Sequence, residues 1–372
     1  AGMSDSAVHQ FPGLFDPLTL RGLEFAHRGW VAAMCQYSAD AVNAPGVPND
    51  WHLMHLGSFA AGGAALIITE ATAVSPEGRI SPQDTGIYNG EQVQAWRRIT
   101  DFVHRYGAAD TRIGVQLAHA GRKASTYAPF AEGSGSVPEA DGGWLTVGPT
   151  AEPFGRYAAP EALDEAGIRK VIEDFAAAAK RSVEAGFDTI EIHAAHGYLL
   201  HQFLTPLVNT RTDGWGGSEE GRNRLTLEVI DAVRAVMPDS MPLLLRISAT
   251  DWTAGGVDEH TSARLSAQAS ARGVDFVDVS TGGAVPGAAI PVAPGYQTGF
   301  AEHVRTHADV PTGAVGLIRT AAEAEQTLRE GRADAVLIAR AALSDPHWWL
   351  HAADALDAKL PWAPQYERAH KA

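Results

Sequence analysis

An α/β fold, a (β/α)8 TIM barrel with a long capping excursion after its third strand, is predicted by two features of the chain and by the absence of a third. Eight short apolar runs alternate with helical patterns along its 372 residues, without an internal sequence repeat. Residues able to do chemistry collect just after the carboxyl ends of those runs, where such barrels place their sites. A doubly wound open sheet is the alternative, but it needs a glycine fingerprint after its first strand, and residues 30–37 contain no glycine.

The expected strands are 30–34, 65–69, 112–117, 189–193, 243–247, 276–279, 311–315 and 335–338. Helices are expected at 52–61, 92–106, 164–185, 219–236, 258–271, 300–307, 321–329 and 346–356. In the third of these, Ile168, Val171, Ile172, Phe175 and Ala179 recur at helical spacing, and Gly186 stands where a helix stops. One barrel domain is expected over 1–372, with 118–161 as a cap and 361–372 as a carboxyl-terminal tail. The cap segment is rich in Gly, Pro, Ser and Ala, carries the turn signals Gly133-Ser134-Gly135-Ser136 and Asp141-Gly142-Gly143, and suggests a small hairpin at 144–149.

Composition narrows the partners. A formal net charge of −15 favours solubility and argues against a nucleic-acid backbone or an anionic membrane. One cysteine, Cys35, excludes an intramolecular disulfide, a cysteine-rich zinc site and an iron–sulfur cluster built from one chain, and it fits a reducing cytoplasm. The longest apolar stretch, 59–68, is short of a bilayer span and contains a Gly pair. The amino terminus has no basic-then-apolar secretory pattern, and Ala1-Gly2 ahead of Met3 reads as an appended remnant.

The richest strand end is Ile190-Glu191-Ile192-His193-Ala194-Ala195-His196-Gly197-Tyr198. Two neutral imidazoles can donate to a single oxygen while a phenol nearby delivers a proton, an arrangement that polarises a carbonyl and protonates the adjacent carbon. The same His-x-x-His pair could ligate a metal if another element supplied a third ligand. Other strand ends contribute Met34 and Cys35, Glu70 and Ala71, Gln116 with His119, Arg246, residues 280–283, Gly313-Ala314-Val315-Gly316, and Arg340. Loops after the seventh and eighth strands frequently form a phosphate site, with backbone N–H groups and here Arg340. Gln116 offers a donor and an acceptor to a ring amide, and Arg246 a fixed positive charge to a ring that becomes anionic. A flat heterocycle with a phosphate tail would use all of these, and flavin mononucleotide (FMN) fits that description.

These residues carry a family resemblance. Met34-Cys35-Gln36-Tyr37, Gln116-Leu117-Ala118-His119-Ala120-Gly121-Arg122-Lys123, Glu191 through Tyr198, Arg211-Thr212-Asp213, Gly313 through Gly316 and Gln365-Tyr366-Glu367-Arg368 resemble the Old Yellow Enzyme family. Cys35 and Tyr37 together with Arg368 resemble its thermophilic-like class, and the likeness spans about residues 15–368. It implies an FMN-dependent ene-reductase that takes hydride from NADPH or NADH and passes it to an activated alkene. By position in the motifs, Ala33, Met34, Cys35, Ala71, Gln116, Arg246, Gly283, Gly316, Leu317 and Arg340 would contact FMN. His193 and His196 would hold the substrate oxygen, Tyr198 would donate the proton, and Tyr37 would shape the pocket. Arg368 would reach a neighbouring protomer's site in a homodimer or tetramer.

The chain departs from the family where Ala33 replaces a Pro, where His27-Arg28 replaces Asn-Arg, and where 130–144 is longer than in short members. Arg122 and Lys123 would either receive part of the nicotinamide cofactor or face solvent. Cys35 would either tune the flavin potential or pack as a small core residue. Two further readings are a metal-dependent TIM-barrel hydrolase with His193 and His196 as ligands, and a flavin-binding protein without catalysis, which would have no use for Tyr198.

Overall fold

A computed structural model describes residues 9–370. Eight strands close into a parallel barrel: β3 (Gly29–Val31), β4 (Leu66–Ala73), β5 (Arg112–Ala118), β8 (Thr189–Ala194), β9 (Leu243–Ser248), β10 (Phe276–Ser280), β11 (Thr312–Ala314) and β12 (Ala335–Ile338), with β12 pairing back to β3. Every residue of β4, β8, β9 and β10 is buried, because helices cover one face and the barrel interior the other. That double burial is why these strands read as apolar runs.

The helical layer contains α1 (Asp50–Ala61), α2 (Gly90–Tyr106), α3 (Glu165–Glu184), α5 (Glu219–Val236), α6 (Glu259–Ala271), α7 (Thr298–Ala308), α8 (Ala321–Arg329) and α10 (Trp348–Ala355). Their amino ends are set locally. Asn49 and Asp258 form capping boxes with His52 and Thr261, while Asn89, Asp164, Ser218 and Thr320 each accept from a backbone N–H of the first turn. None of the helices among the described residues is long and apolar enough to cross a membrane.

A hairpin that the sequence reading lacked, β1 (Leu18–Leu20) with β2 (Leu23–Phe25), joins the apolar cluster at the amino end of the barrel. Phe25 packs on Trp30 at 4.9 Å, and Trp30 on Phe276 at 4.8 Å, with Leu66, Leu244 and Leu337 around them. The amino end is thereby dry and closed, so chemistry is confined to the carboxyl end.

Three local expectations need correction. The first barrel strand stops at Val31 rather than Met34, because residues 33–38 leave the ladder and are only half-buried. The second extends to Ala73, since an irregularity between Ile68 and Ala71 lets its pairing with β5 resume at Ala71 and Gln116. The hairpin expected at 144–149 is a two-residue parallel pairing instead, β6 (Val147–Gly148) with β7 (Glu161–Ala162). The expected tail contains a 3-10 helix, Pro364–Ala369, beside its own barrel: His370 stacks on Trp362 at 4.8 Å and reaches Asp354 at 2.9 Å.

Phe276 is fully buried at the centre of the closed end. Phe276→Ala should destabilise the protein by about 3–5 kcal/mol, read as a shift in the denaturant midpoint. A shift worth under about 1 kcal/mol would mean that the aromatic layer collapses without cost.

Candidate active site

The site is assembled from turns that the barrel brings together at its carboxyl end. After β8 the chain enters a left-handed turn, His196 at φ 58° and Gly197 at φ 75°, and then starts a short helix, α4 (Leu199–Leu204), with Tyr198 at its first boundary. A side chain at Gly197 would collide with the Gly283 carbonyl, and one at Gly283 (φ 96°) with the His196 backbone. The two turns therefore lie back to back. Lys123 Nζ ties them, donating to His196 O at 2.7 Å and Gly283 O at 3.1 Å. Ser248 Oγ accepts from His196 N at 2.9 Å and donates to Gly282 O at 2.8 Å. From behind, His201 Nδ1 accepts from Gly197 N at 2.8 Å, while its Nε2 meets Asp251 at 2.7 Å.

A backbone N–H sets the His193 tautomer, and a hydroxyl is paired with His196. Ala195 N–H donates to His193 Nδ1 at 3.2 Å, so a neutral His193 carries its proton on Nε2. His196 Nε2 lies 2.8 Å from Ser280 Oγ; with the hydroxyl as donor, the His196 proton sits on Nδ1. Burial, and then the Arg246 charge, holds both imidazoles well below their ordinary pKa. Both are therefore neutral donors at physiological pH. Their ring centroids are 5.5 Å apart at 87°, and Tyr198 stands edge-on to His193 at 5.0 Å. Burial, with Cys35 and Tyr37 close by, pushes the Tyr198 phenol well above its usual pKa, so it keeps its proton.

An apolar wall faces this trio: Ala71, Ile80, Ala118, Ala120 and Ala124, with Cys35, Tyr37, Trp144 and Tyr198 packed on it. Trp144 comes from the long connection and is fixed by donation from Nε1 to Glu77 O at 2.9 Å and by Arg79, 4.6 Å from its ring. Nothing in the local sequence marks it as a site residue. Tyr37 (φ 52°) packs on the same wall as Cys35 and lies edge-on to Phe130 at 6.1 Å. Burial, then neighbouring Asp84 and Glu70, raises the Cys35 thiol well above its ordinary pKa, leaving a polarisable thiol rather than a thiolate. Glu70 holds this segment by accepting from Gln36 N at 2.7 Å, with His52 Nε2 3.1 Å away.

On the barrel axis side, Gln116 donates from Nε2 to Glu191 Oε1 at 2.8 Å, and Arg246 Nε lies 3.4 Å from Asp278. Arg246 Nε, Glu191 Oε2 and both Asp278 oxygens are buried without a hydrogen-bond partner. Gly316 (φ 111°) and Leu317 (φ 51°) shape the loop after β11, and a Cβ on Gly316 would meet Gln297 Nε2 at 2.7 Å. Arg340 follows β12, exposed and without a hydrogen bond or ion pair among the described residues. Unsatisfied polar atoms inside, an open backbone cradle and a free guanidinium fit a flat polar ring carrying one phosphate.

His119 and Arg122 take structural roles. His119 is buried under the turn at 118–123, where its Nδ1 accepts from Gly121 N at 3.0 Å. Arg122 donates to the carbonyls of Glu152, Pro153 and Ala284, fastening the long connection rather than facing solvent. Arg368 is exposed on the tail. The hydrolase alternative is not favoured, since no cluster of three His, Cys, Asp or Glu among the described residues could hold a metal ion.

Comparison with known proteins agrees with this chemistry. Residues 13–359 match the NADH:flavin oxidoreductase / NADH oxidase family. An NADPH dehydrogenase of Geobacillus sp. (strain WCH70) is 43% identical over 356 residues, covering 95% of this chain and 98% of its own. Morphinone reductase in complex with tetrahydroNAD superposes with a TM-score of 0.75 at 29% identity, covering 94% of this chain and 92% of the other. The old yellow enzyme homologue from Zymomonas mobilis gives a TM-score of 0.75 at 26% identity over 94% of each chain. The chain belongs to the NADH:flavin oxidoreductase / NADH oxidase family, as an FMN-using, NAD(P)H-dependent oxidoreductase with the old yellow enzyme barrel.

Proposed function

We propose that the enzyme is an ene-reductase acting on small activated alkenes: enones, enals, maleimides or nitroalkenes. The observation that carries this reading is the pairing of two neutral imidazole donors with a protonated phenol, 5.0 Å from His193, against an apolar wall. Bound FMN would supply the redox chemistry, taking hydride from NADPH or NADH and delivering it to the alkene's β-carbon. Ala33, Met34, Cys35, Ala71, Gln116 and Arg246 would hold its ring, and Gly283, Gly316, Leu317 and Arg340 its tail.

His193 Nε2 and His196 Nδ1 donate to the substrate's carbonyl or nitro oxygen, where negative charge grows as the alkene is reduced. Such donors act most strongly in the transition state and in a site screened from water. Tyr198 delivers its proton to the α-carbon. Its raised pKa keeps it protonated, and the Lys123 ammonium, 5.0 Å from its ring, favours the phenolate left behind. Tyr37 and Trp144 limit what fits over the wall.

We further infer a homodimer or dimer-based tetramer in a reducing cytoplasm, in which Arg368 completes a neighbour's pocket. What supports it is a tail pinned by Trp362 and His370 that leaves the Arg368 side chain exposed.

Stopped-flow measurement of the two half-reactions tests the chemistry. Tyr198→Phe should slow alkene reduction by roughly 10²-fold or more while leaving flavin reduction by NADPH near its original rate. Equal slowing of both would reduce Tyr198 to a packing role. Replacing His193 and His196 together by Ala should cost at least about 10²-fold in alkene reduction, with FMN retained; full alkene turnover in that variant would remove the donors from the mechanism. For the tail, truncation after Leu360 should lower the mass in solution and Arg368→Ala should raise KM for the alkene with FMN still bound. Unchanged mass and kinetics would eliminate the shared pocket.

A further inference from the structure

Three ionisable groups are buried together beneath the mouth: Glu191 at 1%, Arg246 at 7% and Asp278 at 0% exposure. Strand register brings them close, with Gln116 beside Glu191 across β5 and β8, and Arg246 beside Asp278 across β9 and β10. The hydrogen bonds made between heavy atoms as ordinarily protonated do not close. Glu191 Oε1 accepts from Gln116 at 2.8 Å, but Glu191 Oε2 and both Asp278 oxygens lack a donor. β8 and β10 flank β9, so the two carboxyls enter the same barrel interior, and each acts on the other's charge. Two carboxylates facing one another away from water repel strongly, whereas one shared proton turns that contact into a charge-assisted hydrogen bond.

We propose that Glu191 is a protonated positioning residue: its Oε2–H donates to Asp278, so that Gln116, Glu191, Asp278 and Arg246 form one chain with a single carboxylate against a single guanidinium. The assignment of the proton follows from the neighbours. Asp278 is the carboxyl beside Arg246, 3.4 Å from Nε, whereas Glu191 receives only a neutral amide N–H. Burial, and then the Asp278 charge, pushes Glu191 well above the usual carboxylate range; burial raises Asp278 as well, but there the Arg246 charge is the first influence to oppose it, ahead of its place for Glu191. One proton supplies a donor to Asp278 and gives Glu191 Oε2 its partner.

The chain has two consequences for the cofactor site. Glu191 pins the Gln116 amide by its Nε2, leaving Oε1 and the second N–H for the flavin ring. It also keeps the buried cluster neutral, so no second carboxylate opposes the negative charge that the ring acquires on reduction.

Glu191→Gln tests this on the FMN-loaded enzyme, because a glutamine accepts and donates at the same two positions as a protonated glutamate. Its FMN dissociation constant should stay within about twofold, and its flavin midpoint potential, measured by spectroelectrochemical titration, should be unchanged. Asp278→Asn removes the one ionised carboxyl and should move the potential positive. A Glu191→Gln variant whose potential also moves positive would overturn the proposal, since Glu191 would then be the ionised group. Infrared spectroscopy of the unmodified enzyme gives a reading that needs no variant. Under alkaline conditions Asp84, pushed up to about 7 by burial, has lost its proton, and the carbonyl band of a carboxylic acid should persist from Glu191. A spectrum without that band would equally overturn it.

Discussion

The back-to-back packing of two turns, His196-Gly197 and Gly282-Gly283, is the constraint on which the rest of the site depends. A residue such as His196 held at positive φ costs roughly 1–2 kcal/mol and persists only where surrounding contacts dictate it. Here Ser248 and Lys123 supply those contacts from two other segments, and His201 from the helix that follows the turn. The turn aims His196 beside His193 and releases the chain into α4, and Tyr198 at the head of that helix is thereby placed over His193. Changing any one of these supports would misplace a donor without touching the substrate.

The barrel divides its polarity along its axis. At the closed end, Phe25, Trp30 and Phe276 fill the interior with carbon, so strand burial there is repaid by the hydrophobic effect alone. At the open end the interior positions of β5, β8, β9 and β10 carry Gln116, Glu191, Arg246 and Asp278, groups that destabilise a dry core unless paired. That tension is resolved by a proton between carboxyls and by a polar cofactor ring. The same boundary holds His193 and His196 neutral, which suits them to donate rather than to carry charge.

Much of this was legible in the residues. All eight barrel strands and the eight helices of the outer layer appear within a few residues of where apolar periodicity puts them, because double burial and amphipathic helices leave a periodic trace. The His193, His196 and Tyr198 trio is contiguous, so its convergence at one strand end needed no long-range information. The hairpin plug, α4, the parallel β6–β7 pairing and the place of Trp144 were not legible. Each is decided by packing against segments remote in sequence: α4 is buried on every residue and has no polar face to give it away.

The sequence by itself determined the alternation of strand and helix, the residue types at each strand end and the long family motifs, since these depend on local order and composition. Tertiary structure alone decided what faces His196 Nε2, because Ser280 lies 84 residues away. It also decided that Arg122 fastens the cap, that the tail lies on α10, and that Glu191 and Asp278 meet. The last of these is set by the barrel, which brings β8 and β10 to opposite sides of β9 and turns their inward side chains into one small volume.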